Sequence, residues 1–213
     1  MIGTCRLCRT ESDLQLSHII PKFVFSWLKE TAASPIRHSQ IPNVRVQDGE
    51  KLYFLCAKCE NLFGKWENLF AQNIFHPLQN EQQDKRHFQY GEWCLKFAVS
   101  ISWRVLAYGK EKGIEGISIE QSNKVDEALD TWREYLLSNQ KSPAPFDQQL
   151  LPLSIIKSHS NINLSPFINC YFLRAVDLDI AHSSNRMFTY VKMGKIALFG
   201  LIHENQPSLW KSA

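Results

Sequence analysis

The chain has 213 residues, of which 44% are hydrophobic and 12% aromatic, and its formal net charge is +3. This composition supplies enough apolar surface for a folded core and excludes an intrinsically disordered chain. Because the net charge is small, it gives no strong general attraction to nucleic acid, so evidence for a nucleic acid partner must come from sequence motifs.

No targeting or membrane segment is recognisable in the sequence. The amino terminus lacks a basic stretch followed by an apolar core, which a secretory signal requires. The most apolar run, residues 93–108, is interrupted by Lys96 and Arg104 and is too short to cross a bilayer. We therefore expect a soluble cytoplasmic protein without a membrane partner.

The first third of the chain predicts short strands and helices around a long polar loop. The loop at residues 31–50 contains Pro35, Pro42 and the turn pair Asp48-Gly49, and it exceeds the usual length of a connection. Hydrophobic periodicity and turn signals predict the other elements. In chain order these are a turn at 5–8, a strand at 13–17, a helix at 22–30, a strand at 52–55 and a helix at 59–75.

The rest of the chain predicts two helices followed by an antiparallel sheet. Residues 80–87 are a polar connector and the expected boundary between two lobes. A buried helix at 93–108 with Gly109 as its stop precedes a more amphipathic helix at 119–137 and a proline-containing linker at 142–152. Period-two patterns then predict strands, with a hairpin turn at Met193-Gly194. These strands are 154–159, 167–177, 186–193 and 195–203.

Four of the six cysteines form two C-x-x-C pairs, Cys5 with Cys8 and Cys56 with Cys59. Such a turn places two thiolates on one side of a metal ion, and two turns complete the tetrahedral shell that Zn²⁺ prefers. Redox dithiols and disulfides are the alternatives, but the paired motifs and the lack of a thioredoxin-like strand-helix setting favour structural zinc. The remaining cysteines lie in apolar patterns that predict buried thiols; these are Cys94 and Cys170.

The order of motifs around these cysteines resembles the HNH endonuclease superfamily in its zinc-supported form. The motifs are CRLC at residues 5–8, LSHIIP at 16–21 and LYFLCAKCE at 52–60. In that family a cysteine pair flanks a ββα-metal hairpin, a histidine ends the first strand and the second cysteine pair opens the helix. The resemblance covers residues 5 to about 70, and the segment from SHIIPKFVFSWLKE (17–30) through PNVRVQDGE (42–50) to LCAKCENLFGKWE (55–67) is similar to a group of uncharacterised bacterial HNH-like proteins.

This resemblance implies that His18 is the general base that activates water for phosphodiester hydrolysis. The chemistry is reasonable by itself, because an imidazole titrates near neutral pH. A divalent ion, Mg²⁺ or Mn²⁺, would stabilise charge on the phosphate and the leaving oxygen. The alternative is that His18 only braces the hairpin.

The sequence departs from the family pattern at two positions. Glu60 stands where the family has His or Asn as a ligand of the catalytic ion; a carboxylate suits Mg²⁺, but it also suits the first turn of a helix. The family's middle Asn is matched by Lys51, and Asn43 is the candidate replacement, with a turn-forming role as its alternative. Glu67 lies about 10 Å further along the helix than Glu60, so we expect it to be solvated or ion-paired.

Basic side chains in and after the long loop are candidates for phosphate contacts. Dispersed lysines and arginines more often form an ordinary wetted surface, and that alternative stays open. The candidates are Arg37, His38, Arg45 and Lys51.

Together these patterns predict an α+β fold. A four-cysteine zinc treble-clef lobe (ββα-metal-like) at residues 1–79 would pack with a lobe at 88–213 of helices and a small antiparallel sheet. The leading functional hypothesis is a metal-dependent HNH-type endonuclease acting on nucleic acid, with DNA as the expected polymer, alone or within a bacterial defence system. The alternative is a nuclease-inactive zinc module that binds nucleic acid or a protein partner. The second lobe would supply substrate contacts or a surface for a homodimer or partner protein.

Overall fold

The computed structural model describes residues 1–32, 35–37, 41, 43–46, 48–80, 87–157 and 163–204. Within these ranges the fold is α+β, with two antiparallel sheets and helices between and beside them. The strands are β1 (Ile2–Thr4), β2 (Glu11–His18), β3 (Lys51–Cys56), β4 (Gln148–Pro152), β5 (Val176–His182), β6 (Arg186–Met193) and β7 (Ile196–Glu204). The helices are α1 (Lys22–Thr31), α2 (Ala57–Phe70), α3 (His76–Gln79), α4 (Glu92–Lys112), α5 (Ile119–Leu136) and α6 (Ile168–Phe172), with a π-helical turn at Ala71–Phe75.

The first sheet has the order β1-β2-β3 and is antiparallel throughout. The pairing of β2 with β3 begins with Leu14 opposite Cys56 and ends with His18 opposite Lys51. Helix α2 follows β3 without a loop, because Ala57 continues directly from Cys56. The cysteine end and the histidine end of this hairpin are therefore separated by most of the length of β3.

The hydrophobic core joins the two halves of the chain. One cluster combines Phe54 and Phe63 with Trp103 and Trp132, and a second contains Phe70 stacked on Phe97 at 3.8 Å between ring centroids. Both clusters thus include residues from before and after the predicted connector at 80–87, of which 81–86 lie outside the described residues. The division into lobes at 1–79 and 88–213 stays a prediction. None of the described helices is long and apolar enough to span a membrane.

Helix α4 does not stop at the predicted glycine. It continues through Gly109 to Lys112 and ends at Gly113, whose φ of 90° lies in the region that favours glycine. Gly109 instead serves packing, because a Cβ atom there would collide with the side chain of Ile180 on β5. The glycine was assigned to the wrong role because a close approach between distant segments leaves no local signal.

The second sheet has the order β4-β7-β6-β5 and differs in part from the predicted strands. The β6–β7 hairpin is confirmed, but β4 lies in the predicted linker, and the strand predicted at 167–177 is α6 followed by the start of β5. No strand is assigned at 153–157, and 158–162 lie outside the described residues. Short apolar runs do not distinguish helix from strand. Cys170 is accordingly exposed on α6, contrary to the predicted burial, and Cys94 is half-buried.

Candidate metal centre and hydrolytic site

The two C-x-x-C pairs converge on one point. The sulfur atoms of Cys5, Cys8, Cys56 and Cys59 all lie within 4.8 Å of one another, and the Cys8 and Cys56 sulfurs are 3.8 Å apart. All four cysteines are free, so no disulfide joins them. Because Zn–S bonds of about 2.3 Å give about 3.8 Å between tetrahedral ligands, the cluster has the spacing to hold a metal ion such as zinc.

Backbone hydrogen bonds form the first cysteine turn and attach it to β3. The N–H of Arg9, which has a left-handed φ of 61°, donates to the carbonyl of Cys5 at 2.8 Å. The N–H of Arg6 donates to the carbonyl of Phe54 at 3.0 Å, and the N–H of Cys56 donates to the Cys5 sulfur at 3.3 Å. A donor aimed at sulfur favours the thiolate form, which is the form that binds metals.

The thiols differ in how readily they ionise. Burial raises the pKa of Cys59 and of Cys5 above the ordinary value. Burial also disfavours ionisation of Cys8, but hydrogen bonds with the hydroxyl and backbone of Thr10 outweigh it and lower the pKa to about 6. Since several buried thiolates repel one another, a cation at their centre would offset the penalty, and the donor set therefore fits Zn²⁺.

A histidine and a carboxylate lie together at the opposite end of the hairpin. The Nε2 atom of His18 is 3.0 Å from Asp48 Oδ2, which also accepts a hydrogen bond from the ammonium of Lys51 at 2.7 Å. The side chain of His18 is 17% exposed. Burial by itself would raise the pKa of Asp48, but Lys51, His18 and the N–H of Gly49 hold it well below the usual range. His18 therefore faces an ionised carboxylate.

Helix α4 holds the main chain of His18 through a buried arginine. The guanidinium of Arg104 donates to the carbonyl of His18 at 2.9 Å and to Glu67 Oε1 at 2.7 Å, and its Nε donates to the carbonyl of Ser100 at 3.3 Å. Only 1% of Arg104 is exposed. Glu67 is thus the ion-paired residue that its position on α2 predicts, and the arginine connects α4, α2 and the end of β2.

Glu60 approaches the same strand end from α2. Its Oε2 atom accepts a hydrogen bond of 2.6 Å from the hydroxyl of Ser17, which is fully buried. Successive residues of a strand point to opposite faces, so Ser17 is directed towards α2 and His18 away from it. The hydroxyl of Ser17 and the carboxylate of Glu60 therefore lie on one side of the strand end and the imidazole of His18 on the other, and a shared ion between Glu60 and His18 stays a prediction.

The other predicted site residues lie in or beside the long loop. Asn43 is exposed in a turn, and within the described residues His18 is hydrogen-bonded with Asp48 rather than with Asn43. Arg37 and Arg45 pair through an isolated β-bridge and are exposed. Of the basic candidates, Lys51 is the one paired with His18 across the sheet. The remaining candidate, His38, lies outside the described residues.

Three residues of this site were missed by sequence reasoning. Asp48 was interpreted only as part of a turn, although a carboxylate three residues before the strand partner of a histidine is within its reach. Ser17 carried no signal besides its place before His18. Arg104 had a signal, because a cation inside an otherwise apolar helix must find a buried partner.

No family model matches the chain, and no curated protein or solved structure matches it significantly. An imidazole beside an ionised carboxylate is equipped to take a proton, and an adjacent ammonium is equipped to contact an anion.

Proposed function

We propose that this protein is a metal-dependent endonuclease of the HNH type, which hydrolyses phosphodiester bonds in nucleic acid, with DNA as the expected polymer. The observation that carries the proposal is the His18–Asp48 pair at the end of β2, one residue from the Ser17–Glu60 pair. Further support comes from the arrangement of the β2–β3 hairpin and α2, which suits a ββα-metal unit of treble-clef type. In this proposal the four cysteines bind a structural zinc ion.

His18 would act as the general base. If its Nε2–H donates to Asp48, Nδ1 carries the lone pair that accepts a proton from the attacking water. Asp48 would orient the ring and stabilise the imidazolium that forms. Arg104 would act as a positioning residue, since it contacts the backbone of His18 and not the reacting atoms.

Glu60 would hold the catalytic divalent ion, and the buried hydroxyl of Ser17 would orient its carboxylate. A carboxylate, with the other positions left to water and phosphate, is a ligand set that Mg²⁺ accepts. A bound Mg²⁺ or Mn²⁺ supplies Lewis-acid stabilisation of the phosphate and the leaving oxygen. Lys51 lies on the same side as His18 and would contact a phosphate, with Arg37 and Arg45 in the loop as further contacts.

The test is cleavage of supercoiled plasmid by the purified protein with Mg²⁺ or Mn²⁺. The His18→Ala variant should cut at least about 100-fold more slowly, which is the usual contribution of a general base. The control is His182→Ala, because His182 is an exposed histidine on β5 in the other sheet. Unchanged cutting by folded His18→Ala protein, or cutting that needs no divalent ion, would contradict the assignment.

A second candidate function is a nuclease-inactive zinc module that binds nucleic acid or a protein partner. It is favoured by the ion pair between Asp48 and Lys51, because these groups satisfy each other without a substrate. In that case binding survives His18→Ala, and no divalent ion is needed. Binding without cutting, for every metal tested, would favour this function over cleavage by the chain alone.

A further inference from the structure

The outward face of the β2–β3 hairpin carries two large apolar side chains beside His18. Leu16 is 50% exposed and Tyr53 48% exposed, and the two residues are direct partners in the antiparallel register. The next pair along the same face is His18 with Lys51. Because residues two apart point to the same side of a strand, an aromatic and aliphatic platform adjoins the proposed catalytic pair.

The exposure is confined to this face of the two strands. On the opposite face Ser17 and Phe54 are buried, and Phe54 packs edge-on against Trp103 with ring centroids 5.3 Å apart. The hairpin thus has a covered face and an open one. The open face combines a phenol ring with a cation about 7 Å away along β3, which is the rise of two strand residues.

Tyr53 also lines a cleft of about 1040 Å³ between the first cysteine turn and helices α4 and α5. Arg6 and Arg9 contribute to one wall, and both side chains are more than half exposed. Their ion pairs with Glu111 and Asp130 lie at the surface, where such pairs are weak and a phosphate competes for the guanidinium groups. A nucleic acid strand that leaves Lys51 and crosses Tyr53 would therefore pass Arg6 and Arg9, which stand beside the carboxylates of Glu111 and Asp130.

We propose that Tyr53 and Leu16 form a subsite for an unpaired nucleobase next to the phosphate that is cleaved. The inference rests on the proposed function and names its substrate class, single-stranded or locally unpaired nucleic acid. A base inside a duplex has both faces covered by its neighbours, so only an unpaired base can place a face on Tyr53. The Tyr53 ring would contact a base and Lys51 a neighbouring phosphate, in the order in which these groups alternate along one nucleic acid strand.

The experiment measures binding by the full chain, zinc-loaded and without added Mg²⁺ or Mn²⁺, so that no cleavage interferes. The probes are a single-stranded oligonucleotide that contains 2-aminopurine, in DNA and in RNA form, and the matched duplex. Binding should quench the 2-aminopurine. The Tyr53→Ala variant should bind about tenfold more weakly and lose the quenching, which is the usual size of one lost stack. Tyr53→Phe should keep both, because it keeps the ring.

The matched control is Tyr171→Ala, since Tyr171 is 75% exposed on α6, away from the first sheet. It should bind like the wild type. If Tyr53→Ala is unfolded by its melting temperature or zinc content, Tyr53→Leu replaces it, because leucine keeps the apolar volume and removes the ring. Dependence on Tyr53 with either polymer supports the subsite. Equal binding by the ring-less variant with both polymers overturns it, as does equally tight binding of the duplex by the wild type.

This binding assay separates the two proposals. Tyr53-dependent binding by a chain that cuts nothing would refute cleavage by this chain alone and leave the nucleobase subsite in place. Cutting that is lost in His18→Ala but is unaffected, together with binding, by Tyr53→Ala would refute the subsite alone.

Discussion

The two ends of the β2–β3 hairpin are built from opposite chemistry. At the cysteine end, four thiols lie within 4.8 Å of one another and three of them are buried. At the histidine end, oxygen and nitrogen groups lie on both sides of the strand, and His18 is partly open to solvent. β3 is six residues long, which separates the two ends by about 17 Å.

This difference suggests separate roles, in which the cysteine end stabilises the hairpin and the histidine end carries the proposed chemistry. A metal ion held by four cysteines would have no open position, as in structural zinc sites, so substrate has no place there. The histidine end retains exposed groups and depends on contacts from α4 and from the long loop. A metal ion bound by the four cysteines would limit fraying of the hairpin at its other end. Each end can be tested separately.

The largest effect is expected from removing one of the four clustered cysteines. In Cys59→Ala three thiols remain, so a metal ion held by the cluster should be lost, and the melting temperature should fall by about 10 °C or more. Metal content per chain and thermal unfolding are the measurements. Cys170→Ala is the matched control, because Cys170 is exposed and lies outside the cluster. A Cys59→Ala protein that keeps one metal and the wild-type melting temperature would remove the distinction between the two ends.

A smaller effect is expected at the other end from Arg104→Met. The change leaves the partly buried carboxylate of Glu67 unpaired and the carbonyl of His18 without its donor, so the free energy of unfolding should fall by about 3 kcal/mol. Denaturant unfolding measures it. The double variant with Glu67→Gln should recover part of the loss, because no unpaired charge remains. If Arg104 positions His18, Arg104→Lys should keep more of the turnover than Arg104→Met at similar KM; equal turnover of the two variants would argue for a purely structural role.

The smallest effect is expected from Asp48→Asn, and it depends on pH. The pKa of Asp48 is lowered in the folded state, whereas the unfolded carboxyl titrates near 3.9. The unfolded chain therefore binds protons first on acidification, so this stabilisation is complete above about pH 5 and is lost as the pH falls further. Asp48→Asn should cost about 1 kcal/mol at pH 7 and less at pH 3, measured by urea unfolding. Asp179→Asn, on the exposed side of β5, is the control. A difference that does not change with pH would contradict the ion-pair assignment.

Local patterns in the sequence determined much of this protein. The two C-x-x-C turns, the strand that ends at His18, helix α1 and the β6–β7 hairpin were all predicted within a few residues of their observed bounds. Each of them is encoded by residues close together in the chain, through side-chain periodicity, turn geometry or the C-x-x-C spacing that lets two cysteines bind one ion. The convergence of the two cysteine pairs was predicted from the preference of zinc for four soft ligands, and the four sulfur atoms lie close enough to hold such an ion.

Only the tertiary structure decided which groups surround His18. Arg104 is 86 residues away in the chain and Asp48 is 30 residues away, at the end of a loop without periodicity. The pairing of β4 with β7 and the packing of Gly109 against Ile180 also join segments that are far apart in the sequence. Such contacts depend on how whole elements fill a common core, and one helix face or one turn does not carry that information. The cysteine end of the hairpin was therefore visible in the sequence, whereas the surroundings of His18 became visible only in the fold.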